Sequence, residues 1–160
     1  FLRDLRRRRP DRVIFGSGDV WEVRDIFRMI AYTGVQAVSV ARGCIGNPWI
    51  FRQAREYLRG AAPARPTIAE QRAVLEEHFA LALAVNTAGS GSVSRQRRAE
   101  VYTGRTMRKF GIRFAAHHPR GEEVRRRMIS ISSFEDWKSV LEEFYGASAE
   151  ELAVDSRASA

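Results

Sequence analysis

Two short apolar runs, each ending near glycine and leading into a helix-like segment, constrain this fold more than any other feature. Residues 13–15 are Val-Ile-Phe and are followed by Gly-Ser-Gly-Asp, whereas residues 36–40 run into Ala-Arg-Gly-Cys-Ile-Gly-Asn-Pro. Continuous apolar runs are typical of parallel strands that are buried on both faces. The sequence therefore predicts two consecutive β-α units, which is an α/β arrangement with parallel strands.

A helix is expected after each of these runs. Residues 21–32 carry apolar side chains at helical spacing, and Asp19 with Glu22 has the spacing of a capping box. The second helix is expected over residues 49–58, with Asn47 as its N-cap. In this interpretation each glycine loop lies between the end of a strand and the start of a helix.

Beyond the proline- and alanine-rich linker at residues 60–66, no further strand is convincing and the pattern is helical. Thr67 and Glu70 have the spacing of a capping box at the start of a long helix. Ser132 and Glu135 repeat that spacing before the last apolar helical pattern. The sequence thus predicts an all-α region after the α/β region.

The chain is expected to divide near residue 62. Residues 1–62 are predicted to form a partial α/β domain, and residues 63–146 a small bundle of about four helices. Residues 89–92, Gly-Ser-Gly-Ser, predict a flexible loop inside this bundle. Residues 147–160 are small and polar, which predicts a disordered tail.

A strongly basic helix is predicted over residues 94–114. Its expected apolar stripe consists of Ala99, Tyr102, Thr106, Phe110 and Phe114. Residues 95–127 carry eleven Arg and Lys side chains against three Glu, an excess that equals the net charge of +8 of the whole chain. This excess favours a polyanionic partner such as RNA or DNA, or an anionic membrane surface, with a merely solvated charged face as the alternative.

The composition argues against several other classes of protein and of site. No apolar run approaches the roughly 20 residues that span a bilayer, so no membrane-spanning segment is expected, and we expect a nucleic acid and no membrane as the partner. The single cysteine, Cys44, cannot form an internal disulfide, which favours the reducing cytoplasm. His117 and His118 lie next to a proline without a carboxylate or cysteine cluster, so we expect a solvated turn and no metal site.

The two glycine loops together predict a phosphate site. Backbone N–H groups at helix N-termini bind anions, and glycine allows a phosphate to approach closely. In (β/α)8 barrels, the last two strands commonly supply such a site. Residues 16–18 and the Arg42-Gly43 step are expected to form its two sides, although for either loop alone simple turn geometry is the alternative.

Several segments resemble the C-terminal half of the tRNA-dihydrouridine synthases. They are GSGDV, TGVQAVSVARGCIGNPWIF, MRKFGIRF and RGEEVRRRMISISS, and the resemblance covers roughly residues 1–145. It implies the last two β-α units of a flavin-binding (β/α)8 TIM barrel, followed by a helical tRNA-binding domain. It also implies an enzyme that reduces uridine in tRNA to 5,6-dihydrouridine with FMN and with NADPH as the electron donor.

The resemblance assigns site residues one by one. The expected FMN-phosphate residues are Ser17, Gly18, Asp19, Ala41, Arg42 and Gly43. The expected tRNA-binding residues are Arg105, Arg108, Lys109, Arg125, Arg126 and Arg127. The family usually has Asn at position 17 and Gly at position 41, and alanine would fit position 41 poorly if its φ were positive.

The resemblance places the catalytic cysteine in the N-terminal half, so no catalytic residue is expected among these 160 residues and the chain alone is expected to be inactive. Cys44 is expected to be a packing residue. The full-length protein is expected to be a monomer. Two alternatives remain open: another FMN- or phosphate-binding TIM-barrel oxidoreductase, and a stand-alone basic helical RNA-binding module.

Overall fold

The computed structural model describes residues 1–88 and 92–146 of the chain. Within these residues there are seven α-helices and two short strands. The chain divides into two compact units, the first being Phe1–Ala64 and the second beginning at Arg65. Most of the loop predicted at residues 89–92, and all of the tail predicted at residues 147–160, lie outside the described residues.

The first unit combines a two-stranded parallel sheet with three helices. Its elements are α1 (Leu2–Arg8), β1 (Phe15–Ser17), α2 (Val23–Thr33), β2 (Ala37–Ser39) and α3 (Ile50–Leu58), with a 3₁₀ turn at Arg42–Cys44. The strands are parallel, with Gly16 opposite Val38 and Ser17 opposite Ser39. The predicted succession of two β-α units with parallel strands is therefore confirmed.

The prediction that the first strand is buried on both faces is wrong for this unit. Ile14 and Gly16 are buried, whereas the side chains of Val13 and Phe15 are 70% and 66% exposed. Helix α2 covers the face that carries Gly16, where an added Cβ would come within 2.5 Å of the Met29 sulfur. Because side chains alternate along a strand, the residues on either side of Gly16 project away from α2.

Helix α2 begins later than its apolar pattern predicts. Its N-cap is Glu22, and the carboxylate of Asp25 accepts hydrogen bonds from the backbone N–H groups of Trp21 and Glu22, both at 2.9 Å. These bonds lower the pKa of Asp25, the Trp21 bond most strongly. The expected capping role of Asp19 is wrong, because the Glu22–Asp25 pair satisfies the free N–H groups.

Helix α3 also starts later than expected. Trp49, rather than Asn47, is its N-cap. The Asn47 side-chain amide instead donates to Gln53 Oε1 at 2.9 Å, and Gln53 Nε2 donates to the Ala64 carbonyl oxygen at 2.9 Å. This part-buried chain of amides ties the loop before α3 to the segment after it.

The second unit is helical in its described part. Its helices are α4 (Ile68–Thr87), α5 (Val93–Phe114), α6 (Gly121–Ile129) and α7 (Phe134–Tyr145). The core contains Leu75, Phe79, Met107, Phe114, Val124, Met128, Trp137, Leu141 and Phe144. The Thr67–Glu70 capping box is confirmed, with Glu70 N to Thr67 Oγ1 at 3.1 Å. The second box uses Ser133 and Asp136 instead of Ser132 and Glu135.

The predicted apolar stripe of α5 is wrong at Tyr102, whose side chain is 62% exposed. The buried positions next to it are Thr103 and Gly104. Thr103 Oγ1 accepts from Asn86 Nδ2 of α4 at 2.9 Å, and Gly104 lies against the backbone of Ser133. Because these two small residues allow close packing on both sides, the core face of α5 lies one position further along and Tyr102 projects into solvent.

Candidate phosphate site and basic surface

The two glycine loops of the first unit line one cavity of about 160 Å³, here named the loop cavity. Its lining residues are Ser17, Gly18, Asp19, Val20, Trp21, Ser39, Ala41 and Arg42. The register that places Ser17 opposite Ser39 brings the two strand ends side by side. Five of the six residues expected at a phosphate site therefore lie together, and the sixth, Gly43, does not line the cavity.

Glycine is required at positions 18 and 43 for different reasons. Gly18 has a φ of +115°, which other residues rarely adopt, and no atom lies within 4 Å of the place where its Cβ would be. Gly43 is buried, and a Cβ there would overlap the backbone carbonyl oxygen of Val20. Gly18 thus shapes the open side of the loop cavity, whereas Gly43 allows the second loop to pack under the first.

The backbone of Ala41 does not have the positive φ that would make alanine unfavourable there. Its φ is −104°, outside the left-handed region that favours glycine. The family's usual glycine is therefore not required at this position by a positive φ.

The loop cavity has one positive and one negative side chain beside it, those of Arg42 and Asp19. Arg42 Nη2 lies 3.9 Å from Asp19 Oδ1, and the two side chains are 71% and 90% exposed. The Arg42 guanidinium carbon also lies 5.2 Å from the centre of the Trp21 ring. An exposed ion pair of this length contributes little to stability, so the Arg42 side chain can rotate towards an incoming anion. The Asp19 carboxylate repels an anion, so that any favourable contribution of Asp19 must come from its backbone.

The sequence interpretation missed two cavity residues, Trp21 and Ser39. Ser39 could have been found from the strand register, because it stands directly across from Ser17. Trp21 could not, since its position depends on how the loop turns at Gly18 and Asp19. Cys44 is half-buried and its sulfur lies 3.0 Å from the Ala41 carbonyl oxygen, as suits the packing role expected for it.

The expected solvated turn at His118 is wrong, because this side chain is only 8% exposed. Its Nδ1 accepts from the backbone N–H of Arg120 at 2.9 Å, so Nε2 carries the proton and donates to the Phe144 carbonyl oxygen at 2.7 Å. Burial lowers the pKa of His118. The imidazole is a neutral link between α6 and the end of α7. Within residues 1–88 and 92–146, no group of three or more His, Cys, Asp and Glu side chains could hold a metal ion.

Helix α5 displays most of the positive charge on one side, here named the basic stripe. The basic stripe consists of the exposed side chains of Arg95, Arg97, Arg98, Arg105, Lys109 and Arg113. At 3.6 residues per turn, they occupy an arc of roughly 160°. Glu100, the only acidic residue of α5, lies outside this arc.

The residues expected to bind tRNA fall into two groups. Arg105 and Lys109 are exposed members of the basic stripe. Arg108 is half-buried, and its Nε donates to the Ile131 carbonyl oxygen, so that it links α5 to the segment between α6 and α7.

The three expected tRNA-binding residues on α6 have acidic or carbonyl neighbours. Arg127 Nη2 lies 3.0 Å from Glu143 Oε2, and Arg125 Nη1 lies 3.9 Å from Glu122 Oε2. Arg126 Nε donates to the Glu122 carbonyl oxygen at 3.4 Å. Glu122 and Glu143 therefore offset part of the positive charge on α6.

None of the helices in the described part of the chain combines the length and the apolar character needed to cross a bilayer.

Comparison with known proteins finds a family model and individual relatives that carry the same description. The family model described as dihydrouridine synthase matches residues 2–135. A probable tRNA-dihydrouridine synthase of Mycobacterium leprae is 27% identical over 135 residues, which is 84% of this chain and 32% of that protein. A probable tRNA-dihydrouridine synthase of Treponema pallidum is 32% identical over 129 residues, 80% of this chain and 34% of that protein.

A shorter match is found with the tRNA-dihydrouridine(47) synthase (NAD(P)(+)) of Coccidioides immitis, at 39% identity over 72 residues, 42% of this chain and 10% of that protein. The chain spans about a third of the length of the two bacterial relatives. The family model, however, covers both the loop cavity and the basic stripe. The chain therefore belongs to the dihydrouridine synthase family.

Proposed function

We propose that the loop cavity holds the phosphate of FMN in a tRNA-dihydrouridine synthase, an oxidoreductase that reduces a uridine of tRNA to 5,6-dihydrouridine with NADPH as the electron donor. The observation that carries this proposal is the meeting of both glycine loops around one cavity beside Arg42. On this proposal the first unit forms the seventh and eighth β-α units of a (β/α)8 barrel. We also propose a cytoplasmic location, because the proposed substrate is tRNA.

The residues present fit a phosphate better than a whole cofactor. The loop cavity measures about 160 Å³, whereas pockets that enclose a complete small ligand measure roughly 300–1,000 Å³. Ser17 and Ser39 supply hydroxyl donors, and Arg42 supplies a guanidinium that can bind two phosphate oxygens at once. The open side at Gly18 admits the anion, because no side chain stands there.

When bound and reduced, FMN would supply a hydride to the C5–C6 bond of the uracil ring, and the proton that completes the saturation would come from the cysteine that the resemblance places in the N-terminal half. The part proposed for the described residues is to bind and orient. Arg42 neutralises the phosphate, and the packing of Gly43 beneath Val20 fixes the distance between the two loops. No residue of the described chain is assigned to proton transfer.

We further propose that the second unit binds tRNA through the basic stripe. Arg105 and Lys109 contact phosphates directly, and Arg125 and Arg126 extend the surface on α6. Arg108 and Arg127 act mainly by positioning, because their side chains are already engaged with Ile131 and Glu143. Phosphate contacts of this kind give affinity that falls steeply with salt.

The phosphate assignment can be tested on the 160-residue chain by amide NMR. We expect FMN and inorganic phosphate, but not riboflavin, to shift the amide signals of Gly18 and Arg42. Arg42→Gln should abolish the phosphate response, while Arg59→Gln, an exposed arginine after the end of α3, should leave it unchanged. Equal shifts with riboflavin and FMN would contradict a phosphate site.

A further inference from the structure

Tyr102 stands among the arginines of the basic stripe as an exposed aromatic ring. Its side chain is 62% exposed. Together with Arg97, Arg98, Val101 and Arg105, it lines a shallow groove of about 390 Å³. Arg98 precedes it by four residues and Arg105 follows it by three, so both guanidinium groups lie on the same side of the helix as the ring.

The other large aromatic side chains of this unit are buried or half-buried. Phe79 lies 5.1 Å, between ring centres, from both Phe134 and Trp137, and Tyr145 packs against the ring of His118 at 4.9 Å. Within residues 1–88 and 92–146, Tyr102 makes neither a ring contact nor a side-chain hydrogen bond. A single exposed apolar residue is common, but this ring lies in a groove with three arginines.

We propose that Tyr102 is a stacking platform for an unpaired base of the RNA, and that Arg98 and Arg105 hold the phosphates on either side of that base. The inference rests on the proposed function of the second unit and deepens it. A base stacks on an aromatic ring only when one of its faces is uncovered, which excludes the interior of a continuous duplex. The RNA element at this groove is therefore a single-stranded loop or end.

Charge complementarity supports RNA as the occupant. Arg97, Arg98 and Arg105 are exposed, and in the described part of the chain none of them is paired with a carboxylate. Glu100 lies two residues before Tyr102 and thus about 160° away around the helix. Guanidinium planes can stack on bases as well as bind phosphates, so the groove offers both kinds of contact.

The test compares two RNA probes on the full 160-residue chain by fluorescence anisotropy. One probe is a short hairpin with an unpaired loop, and the other is a fully paired RNA duplex of matched length. We expect Tyr102→Ala to weaken hairpin binding by about five- to one-hundredfold, the loss of one base stack, and to change duplex binding by less than about twofold. Tyr102→Phe, which keeps the ring, should retain wild-type affinity for the hairpin.

Two further measurements separate stacking from charge and from folding. The slope of log affinity against log salt should stay unchanged in Tyr102→Ala, because no phosphate contact is lost. Leu81→Ala, an exposed apolar position on α4, serves as the matched control and should bind both probes normally. Circular dichroism checks that every variant keeps the helical content of the wild type.

The outcomes distinguish the inference from the function on which it rests. In one outcome, the wild-type chain binds tRNA and both probes in a salt-dependent way while Tyr102→Ala binds the hairpin as tightly as the wild type. That result overturns the stacking role of Tyr102 but supports the proposed tRNA-binding surface. An equal loss for hairpin and duplex also overturns it. If the wild-type chain binds no RNA at low salt, the proposed function of the second unit fails and the inference fails with it.

Discussion

The loop cavity and the basic stripe are built by different means. The loop cavity depends on backbone: a positive φ at Gly18, a close approach at Gly43, and the register that brings two strand ends together. The basic stripe depends on side chains that project from one helix at helical spacing. The first kind of site should be sensitive to single atoms added near the backbone, and the second to removal of charge.

The largest effect is expected for Gly43→Ala. The new Cβ would overlap the Val20 carbonyl oxygen, and overpacking of a tight site costs about 1–3 kcal/mol of unfolding free energy. We expect the first unit to unfold at a lower urea concentration, as measured from its amide NMR signals. The response of the Gly18 amide to phosphate should disappear. Arg59→Gln, at an exposed position of the same unit, is the control and should keep the wild-type stability. Wild-type stability in Gly43→Ala would show that the two loops do not depend on this approach.

The next comparison is between two arginines on α5. Arg108→Gln removes the hydrogen bond to the Ile131 carbonyl oxygen from a half-buried site, which should cost about 1–3 kcal/mol of unfolding free energy. Arg105→Gln should leave stability unchanged but weaken tRNA binding and reduce the salt slope by about 1. Urea titrations and tRNA affinities at several salt concentrations measure both effects. Equal behaviour of the two variants would remove the distinction between positioning and contacting residues.

A pH effect on stability is expected from His118. Burial lowers its pKa in the folded chain below the ordinary value of about 6.5 that holds in the unfolded chain. The unfolded state therefore binds more protons between those two values. The stabilisation that neutral His118 contributes is fully present above about pH 6.5 and is lost as pH falls through its folded pKa. The free energy of unfolding falls by at most about 1.4 kcal/mol per pH unit for this one proton.

Urea unfolding of the second unit between pH 7.5 and pH 5 would measure this dependence. His118→Gln should be less stable at neutral pH and should show a weaker dependence on pH. His78, whose pKa is also lowered by burial, contributes in the same direction, so His78→Gln is the necessary control. A wild-type pH profile in His118→Gln would contradict the neutral link between α6 and α7.

The smallest effect is expected for Asp19→Asn at the loop cavity. The substitution removes the carboxylate that faces Arg42 and keeps a residue type that tolerates the positive φ of 49° at this position. Phosphate affinity, measured from the NMR titration, should rise by less than about fivefold, because an exposed ion pair is weak. A fall in affinity would mean that the carboxylate itself takes part in binding.

Local signals in the sequence predicted much of this molecule. The two β-α units and the Thr67–Glu70 box follow from patterns that span only a few residues, and the structure bears them out. The pairing of Ser17-Gly18 with Ala41-Arg42 at one edge also followed, because parallel strands end on the same side of a sheet. The assignment of these loops to FMN phosphate stays a prediction.

Errors arose where one position decides which neighbour a residue meets. The sequence pattern predicts the capping residues of α2 and α7 too early along the chain, since several Ser, Asp and Glu side chains compete for the same N–H groups. The same pattern predicts Tyr102 in the core because it shares the helical spacing of Phe110, whereas Thr103 and Gly104 occupy the packed face.

The sequence by itself determined the family, the alternation of strand and helix, and the sign and location of the charge, since each is encoded by neighbouring residues. Only the tertiary structure decided that His118 is buried, that Arg108 links α5 to the segment between α6 and α7, and that Gly43 packs under Val20. Each of these depends on partners 23 or more residues away in the chain, as with Val20 and Gly43 or Arg108 and Ile131. No local pattern specifies such a partner, because packing of whole elements places it there.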